Sequence, residues 1–200
     1  MGWNEILGES LDPSAIAQWW VRNKQGVLSH LRNGREFVMS KVGFVYFDYN
    51  YILTPLKKCY HYEPIPKELE PQYHKNVLGI EAPLWTEWVP NWDRLDWQTF
   101  PRLIAVAETG WTPKSRKDYD FFRERLPQIL KRLKKYGVKS TELEDVDPPF
   151  LKRIFKLHTI LQWPEVWISY KKINEFHISL ADYLANMERG IYKVIVKFDQ

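Results

Sequence analysis

Two hundred residues with 44% apolar and 27% charged side chains suit one domain, or one and a fraction, with room for a sizeable core. The net charge of +4 is mild, and the basic residues of Lys114–Lys139 and Lys152–Lys156 are interleaved with apolar ones at helical spacing, which argues for solvated helix faces and against a nucleic-acid footprint. A single cysteine excludes an internal disulfide and a cysteine metal cluster, and no run of about 18 apolar residues offers a membrane-spanning helix.

The five histidines are scattered without ligand spacing, so neither metal nor cofactor is expected. The start of the chain has no basic stretch followed by an apolar one, and Ile6 stands where a myristoylation site wants Ser or Thr. The compartment is left open by this, with the cytoplasm favoured for the chain taken alone. Its 10 Trp, 11 Tyr and 10 Phe are the unusual feature, and imply a ring-rich core or a ring-lined binding surface.

Gly2 to Leu7 reads as the end of a strand, and Asp12-Pro13-Ser14 as a turn. Ala15 to Val21 is a short apolar run suited to a buried strand. Val27, Leu28 and Leu31 recur at helical spacing, with Gly34 as the stop. Phe37–Ser40 reads as the next strand, and Phe44–Tyr49 alternates rings with a carboxylate. Tyr51 to Gln72 reads as a long proline-rich loop, a length that usually marks function.

Gly79 to Glu87 reads as one further strand, which would put Trp85 and Glu87 on the same face. A flat ring can cover the C–H face of a sugar while a carboxylate accepts from its hydroxyls. From spacing alone, a core Trp beside an exposed Glu at a strand end is the favoured explanation. Asn91 to Thr99 reads as a Trp-rich connection. Phe100-Pro101 opens a helix with Leu103, Ile104, Val106 and Ala107 toward the core and Gly110 at its end. A second amphipathic helix runs from about Tyr119 to Tyr136, with Gly137 as its stop and Pro127 implying a kink or break.

Thr141 to Pro149 is acidic and proline-ended and marks the boundary between residues 1–140 and a small appended α/β region, 141–200. In that region 150–161 and 181–187 read as helical, and 163–170 and 191–198 as strands.

Strand and helix signals alternate throughout the part before Gly137, which argues for an α/β fold with a parallel sheet. In barrels of this class functional residues sit at the C-terminal ends of strands. Trp3/Glu5, Trp19/Trp20, Tyr46/Asp48 and Trp85/Glu87 each fall where a strand would end, and their coincidence favours a sugar pocket.

Gly2-Trp3-Asn4-Glu5-Ile6-Leu7, Tyr46-Phe47-Asp48-Tyr49, Leu84-Trp85-Thr86-Glu87 and Phe100-Pro101-Arg102-Leu103, with Ala105-Val106-Ala107-Glu108 closing on Trp111, follow one another along the chain. In this order they resemble the second half of the catalytic domain of the β-N-acetylhexosaminidases of glycoside hydrolase family 20, over roughly residues 1–136. The resemblance implies the later strands and helices of a (β/α)8 TIM barrel. It further implies hydrolysis of terminal non-reducing N-acetylglucosamine or N-acetylgalactosamine from β-linked glycosides. The mechanism implied is retaining and substrate-assisted, with the acetamido carbonyl oxygen as nucleophile, an exception to the two-carboxylate scheme.

Carried over by position, the resemblance makes Tyr46 the donor that holds the acetamido oxygen for attack. Trp3, Trp85 and one of Trp19 and Trp20 (Trp20 preferred) would wall the pocket, and Asp48 and Glu87 would accept from the far hydroxyls of the sugar. Glu5 reads as structural. The family's acid is an adjacent Asp-Glu pair on an earlier strand, and no Asp-Glu dipeptide occurs in this sequence. A further pocket Trp expected in the long loop is also missing, leaving Tyr60 or Tyr62 as stand-ins. The chain alone is therefore expected to be inactive and to need an N-terminal half of the same enzyme as partner. The alternative is a non-catalytic amino-sugar-binding protein.

Overall fold

Four short strands, β1 (Gly2–Trp3), β2 (Ala17–Trp19), β3 (Phe37–Met39) and β4 (Val77–Ile80), form one parallel sheet whose spatial order is the chain order. The computed structural model describes residues 1–153 and the two-residue strand Lys193–Val194. Residues 150–153 are helical, as expected; the rest of that helix, the helix over 181–187 and the strand over 163–170 lie outside the described residues.

Parallel neighbours need a crossover rather than a tight turn. Between β2 and β3 it is α1 (Lys24–Arg32), whose Val27, Leu28 and Leu31 are buried and whose end is followed by Gly34 at φ 88°. Between β3 and β4 it is the long segment that contains α2 (Leu56–Tyr60) and a 3₁₀ turn at Pro71–Asn76.

The register divides the residues between two faces. Ala17 and Trp19 pair with Phe37 and Met39, and all four lie in the main core with α1. Trp3, Gln18, Val38 and Gly79 stand in register on the opposite face. On that face Gln18 Nε2 donates to both oxygens of Glu81, at 2.7 and 2.6 Å.

The segment after Tyr49, expected to be a functional loop, belongs to the core. Tyr51, Ile52, Leu56, Cys59, Tyr60, Tyr62 and Leu69 are all buried. Its prolines obscured the helix: Pro55 stands at the N-cap of α2, where its missing N–H costs no helical bond. Tyr60 packs 4.8 Å from Phe122 and Tyr62 packs 5.2 Å from Phe44, so both rings are committed to packing, away from Trp3 and Trp20.

Gly79–Glu87 is likewise not one strand. β4 stops at Ile80, and Pro83, which has no N–H to give a ladder, separates it from β5 (Leu84–Trp85). A 3₁₀ turn at Thr86–Trp88 follows, so Trp85 and Glu87 do not stand two apart on a strand face. β5 pairs antiparallel with β6 (Lys193–Val194), which falls within the predicted strand over 191–198.

The connection after Asn91 is helical, as α3 (Trp92–Thr99), because Asn91 accepts the Arg94 N–H at 2.9 Å as an N-cap. α4 (Arg102–Trp111) begins after a cis Phe100–Pro101 bond and runs one residue past Gly110. α5 (Tyr119–Lys135), capped by Asp118, is not broken by Pro127, and buries Phe122 and Leu126. Residues 141–147 are bonded to what precedes them: Thr141 donates its N–H to Phe100 O at 3.0 Å, and Leu56 N–H donates to Val146 O at 2.9 Å. Asp147 accepts from the Lys57 N–H at 2.7 Å and from Arg123 at 3.1 Å.

Candidate functional site

The C-terminal ends of β1, β2 and β5, with the segment after β3, bring four rings together. Trp3 is 6.3 Å from Trp20, 6.5 Å from Tyr46 and 6.1 Å from Trp85, and Trp20 lies stacked 6.1 Å from Tyr46. Val21, Val42 and Tyr49 pack around them, forming a cluster separate from the main core. Ring pairs at such separations contribute about 0.5–1.5 kcal/mol each beyond area burial.

The double Trp is divided by strand alternation. Trp19, the last residue of β2, turns into the main core, where its Nε1 donates to Arg22 O at 2.7 Å and Lys41 Nζ sits 4.4 Å over its ring. Trp20 turns the other way, toward Trp3 and Tyr46. It is held there by the 3₁₀ turn Asn4–Ile6 that follows β1. Buried Asn4 accepts the backbone N–H groups of Trp20 and Val21 at 3.2 and 3.4 Å, and Glu5 accepts the Trp20 indole N–H at 2.8 Å. Glu5 thus orients a ring, and Asn4 is a site-building residue that the sequence reading did not single out.

The Tyr46–Tyr49 segment is pinned from several sides. Phe47 N–H donates to Pro83 O at 2.8 Å, tying the segment to the residues just before β5, and Val42 N–H donates to Trp20 O at 2.8 Å. Phe47 itself is buried in the main core, while Tyr46 lies in the ring cluster. Asp48 is largely buried with its Oδ1 unpartnered, and Trp85 Nε1 is a second buried polar atom without a partner. Both are atoms a sugar hydroxyl could satisfy, since a buried polar group left unpaired costs about 1–3 kcal/mol.

Burial pushes the Asp48 carboxyl up to about 7. Its own backbone N–H, the Arg102 charge and the Trp85 backbone N–H pull it down, and the Glu87 charge pushes it further up. Glu87 is exposed, and the desolvation it does experience also raises it. The Glu87 charge is thus felt at Asp48, beside the ring cluster. An apolar floor with a few polar acceptors is the usual chemistry of a small-molecule site. Among the described residues no three His, Cys, Asp or Glu side chains converge as metal ligands would.

The catalytic-domain model of glycosyl hydrolase family 20 matches residues 1–114. A β-hexosaminidase from Porphyromonas gingivalis is 36% identical over 152 residues, covering 69% of this chain and 19% of that protein. Among solved structures, a family 20 exo-β-N-acetylglucosaminidase from Vibrio harveyi, in complex with N-acetylglucosamine, superimposes with a TM-score of 0.62 at 29% identity, covering 70% of this chain and 24% of that one. A family 20 β-N-acetylhexosaminidase from Streptomyces coelicolor gives a TM-score of 0.64 at 28% identity, covering 72% and 33%. The chain spans about a fifth to a third of the length of these relatives. It is an α/β structure with a parallel sheet that corresponds to part of their catalytic domain, and the match over residues 1–114 establishes that the chain belongs to glycosyl hydrolase family 20.

Proposed function

We propose that the chain supplies the sugar-pocket walls of a β-N-acetylhexosaminidase that removes terminal non-reducing N-acetylglucosamine or N-acetylgalactosamine from β-linked glycosides. The convergence of Trp3, Trp20, Tyr46 and Trp85 from four separate segments, beside Asp48 and Glu87, is the observation that carries this reading.

In this reading Trp3, Trp20 and Trp85 cover the sugar ring and its acetamido methyl. Tyr46 donates its hydroxyl to the acetamido oxygen and so holds it against the anomeric carbon. Attack by that oxygen displaces the aglycone and leaves an oxazolinium-type intermediate, which water opens with net retention. Positioning of this kind is worth an effective molarity of about 10⁵–10⁸ M when the geometry is near-attack. Asp48 and Glu87 accept from the far hydroxyls and so admit only a chain end. These strands and helices form the later half of a (β/α)8 barrel, with residues 141–200 as an appended region.

The general acid is not among these side chains. No Asp-Glu dipeptide occurs in the 200 residues, so the proton for the leaving oxygen comes from another segment of polypeptide, the N-terminal half of the same enzyme. The purified chain is expected to bind N-acetylglucosamine in calorimetric titration and to hydrolyse no aryl N-acetyl-β-glucosaminide above background. Absence of binding would remove the pocket reading; measurable turnover would make Asp48 and Glu87 the acid/base pair instead.

The intact ring cluster together with the missing acid also suits a second reading, an amino-sugar-binding protein without catalysis. Adding a polypeptide that carries the family's Asp-Glu strand discriminates the two: activity regained in the mixture supports the enzyme reading, and a mixture that binds sugar but stays inert supports the second.

A further inference from the structure

Arg102, the first residue of α4, is wholly buried. A buried cation is costly unless its donors are satisfied and an opposite charge lies near. Its guanidinium donates to four backbone carbonyls: Nε to Gln98 O at 2.9 Å, Nη1 to Tyr49 O at 2.6 Å and to Thr54 O at 3.3 Å, and Nη2 to Phe47 O at 2.8 Å and to Gln98 O. The rings of Phe47 and Tyr51 sit 4.7 and 4.4 Å from the guanidinium carbon. On the preceding helix α3, buried Gln98 donates to Phe47 O at 2.8 Å and Asp48 O at 3.1 Å, and its Oε1 accepts from Arg94 at 2.6 Å.

We propose that Arg102 and Gln98 are positioning residues of the pocket, gathering the carbonyls of Phe47, Asp48, Tyr49 and Thr54 so that Tyr46 and Asp48 are held toward the sugar. A segment outside any strand has no ladder to satisfy its carbonyls, and a planar fork of five N–H groups satisfies several at once where a lysine could not. Phe47 is the anchor. Its ring is in the core, its N–H is held by Pro83 and its carbonyl is held from two sides. Its neighbours on either side are the two residues of the segment assigned to substrate. Asp48 in turn is a negative group whose charge Arg102 feels through space. The clamp rests on the sugar-pocket reading for its purpose, though its geometry stands apart from it.

The test uses the full chain and the variants Arg102→Met, Arg102→Lys and Gln98→Met. Two readouts are taken: calorimetric titration with N-acetylglucosamine, and the pH titration of the Asp48 carboxyl by ¹³C NMR, with the backbone amide signals of 46–48. Arg102→Met is expected to weaken binding by about tenfold or more and to move the Asp48 midpoint upward, since one lost charge-assisted contact is worth about 1.4 kcal/mol or more. Arg102→Lys restores the Asp48 midpoint and leaves binding weak, because it returns the charge without the fork. Gln98→Met keeps the charge, shifts the 46–48 amides and weakens binding by about threefold to tenfold. An Asp48 midpoint and 46–48 amides unchanged in Arg102→Met overturn the clamp. If that variant does not fold, unchanged amides and affinity in Gln98→Met overturn it. A wild-type chain that fails to bind the sugar sinks the pocket reading, while the NMR titration still decides the clamp.

Discussion

Asp48→Asn tests the electrostatics of the pocket in the absence of any ligand. Burial carries the Asp48 carboxyl from 3.8 to about 7, so the folded chain keeps its proton to higher pH than the unfolded chain does. Between those values the native state binds the extra proton, and native stability attributable to Asp48 therefore falls as pH rises through the window. At 1.36 kcal/mol per pH unit the full cost at alkaline pH is roughly 4 kcal/mol, of which about 3 kcal/mol is incurred between pH ~5 and neutrality. Asparagine is neutral throughout and escapes this loss. Urea unfolding followed by Trp fluorescence should thus show Asp48→Asn more stable than wild type, by a margin that grows by about 1–3 kcal/mol between about pH 5 and about pH 9, since water penetration lessens the desolvation. The same variant should bind N-acetylglucosamine more weakly at about pH 8, where the wild-type acceptor is ionised. A stability difference that stays flat with pH refutes the burial argument, and one that shrinks reverses its sign.

Trp85→Ala removes a wall of the cluster and should cost about 2 kcal/mol or more of N-acetylglucosamine affinity, measured by calorimetry; an unchanged affinity would take Trp85 off the pocket. Glu5→Ala strips the Trp20 indole of its acceptor, so the chain should lose about 0.5–1.5 kcal/mol and the Trp20 indole N–H signal should move in ¹⁵N NMR. Phe122→Ala, deep among Tyr60, Tyr119 and Leu126 in the main core, should cost about 3–5 kcal/mol of unfolding free energy while leaving sugar affinity intact in the folded fraction.

How far the sequence disclosed this arrangement varied from one element to the next, for physical reasons. The parallel α/β pattern, α1 with its Gly34 stop and the long α5 were legible, because each rests on apolar periodicity closed by a breaker. Gly79–Glu87 was misread because two short apolar pieces, Gly79–Ile80 and Leu84–Trp85, were joined into one strand. The decisive signal was Pro83, which cannot donate to a ladder. Tyr51–Gln72 was misread for the opposite reason: its prolines suggested an open loop, although the rings between them are what it buries. Length without visible periodicity made the segment read as a loop, when it is core written at irregular spacing.

The rings and carboxylates of the candidate site were singled out by residue type, and the structure brings Trp3, Trp20, Tyr46 and Trp85 together, with Asp48 within reach of the Glu87 charge. What fixes their positions was not legible, because it is made of side-chain to backbone bonds across long stretches of chain. Asn4 reaches Trp20 and Val21, Gln98 reaches Phe47 and Asp48, and Arg102 reaches Phe47, Tyr49 and Thr54. Such bonds have no period, and the residues that make them look like ordinary surface polars. Their burial is the clue, and only the fold reveals it. The consequence is a division of labour that a mutational survey would expose. Changes at the half-buried rings Trp3 and Trp85 should alter binding more than folding. Changes at the buried polar residues should alter both, because a carbonyl left unpaired in the core weakens the fold while it releases the segment that carries Tyr46 and Asp48.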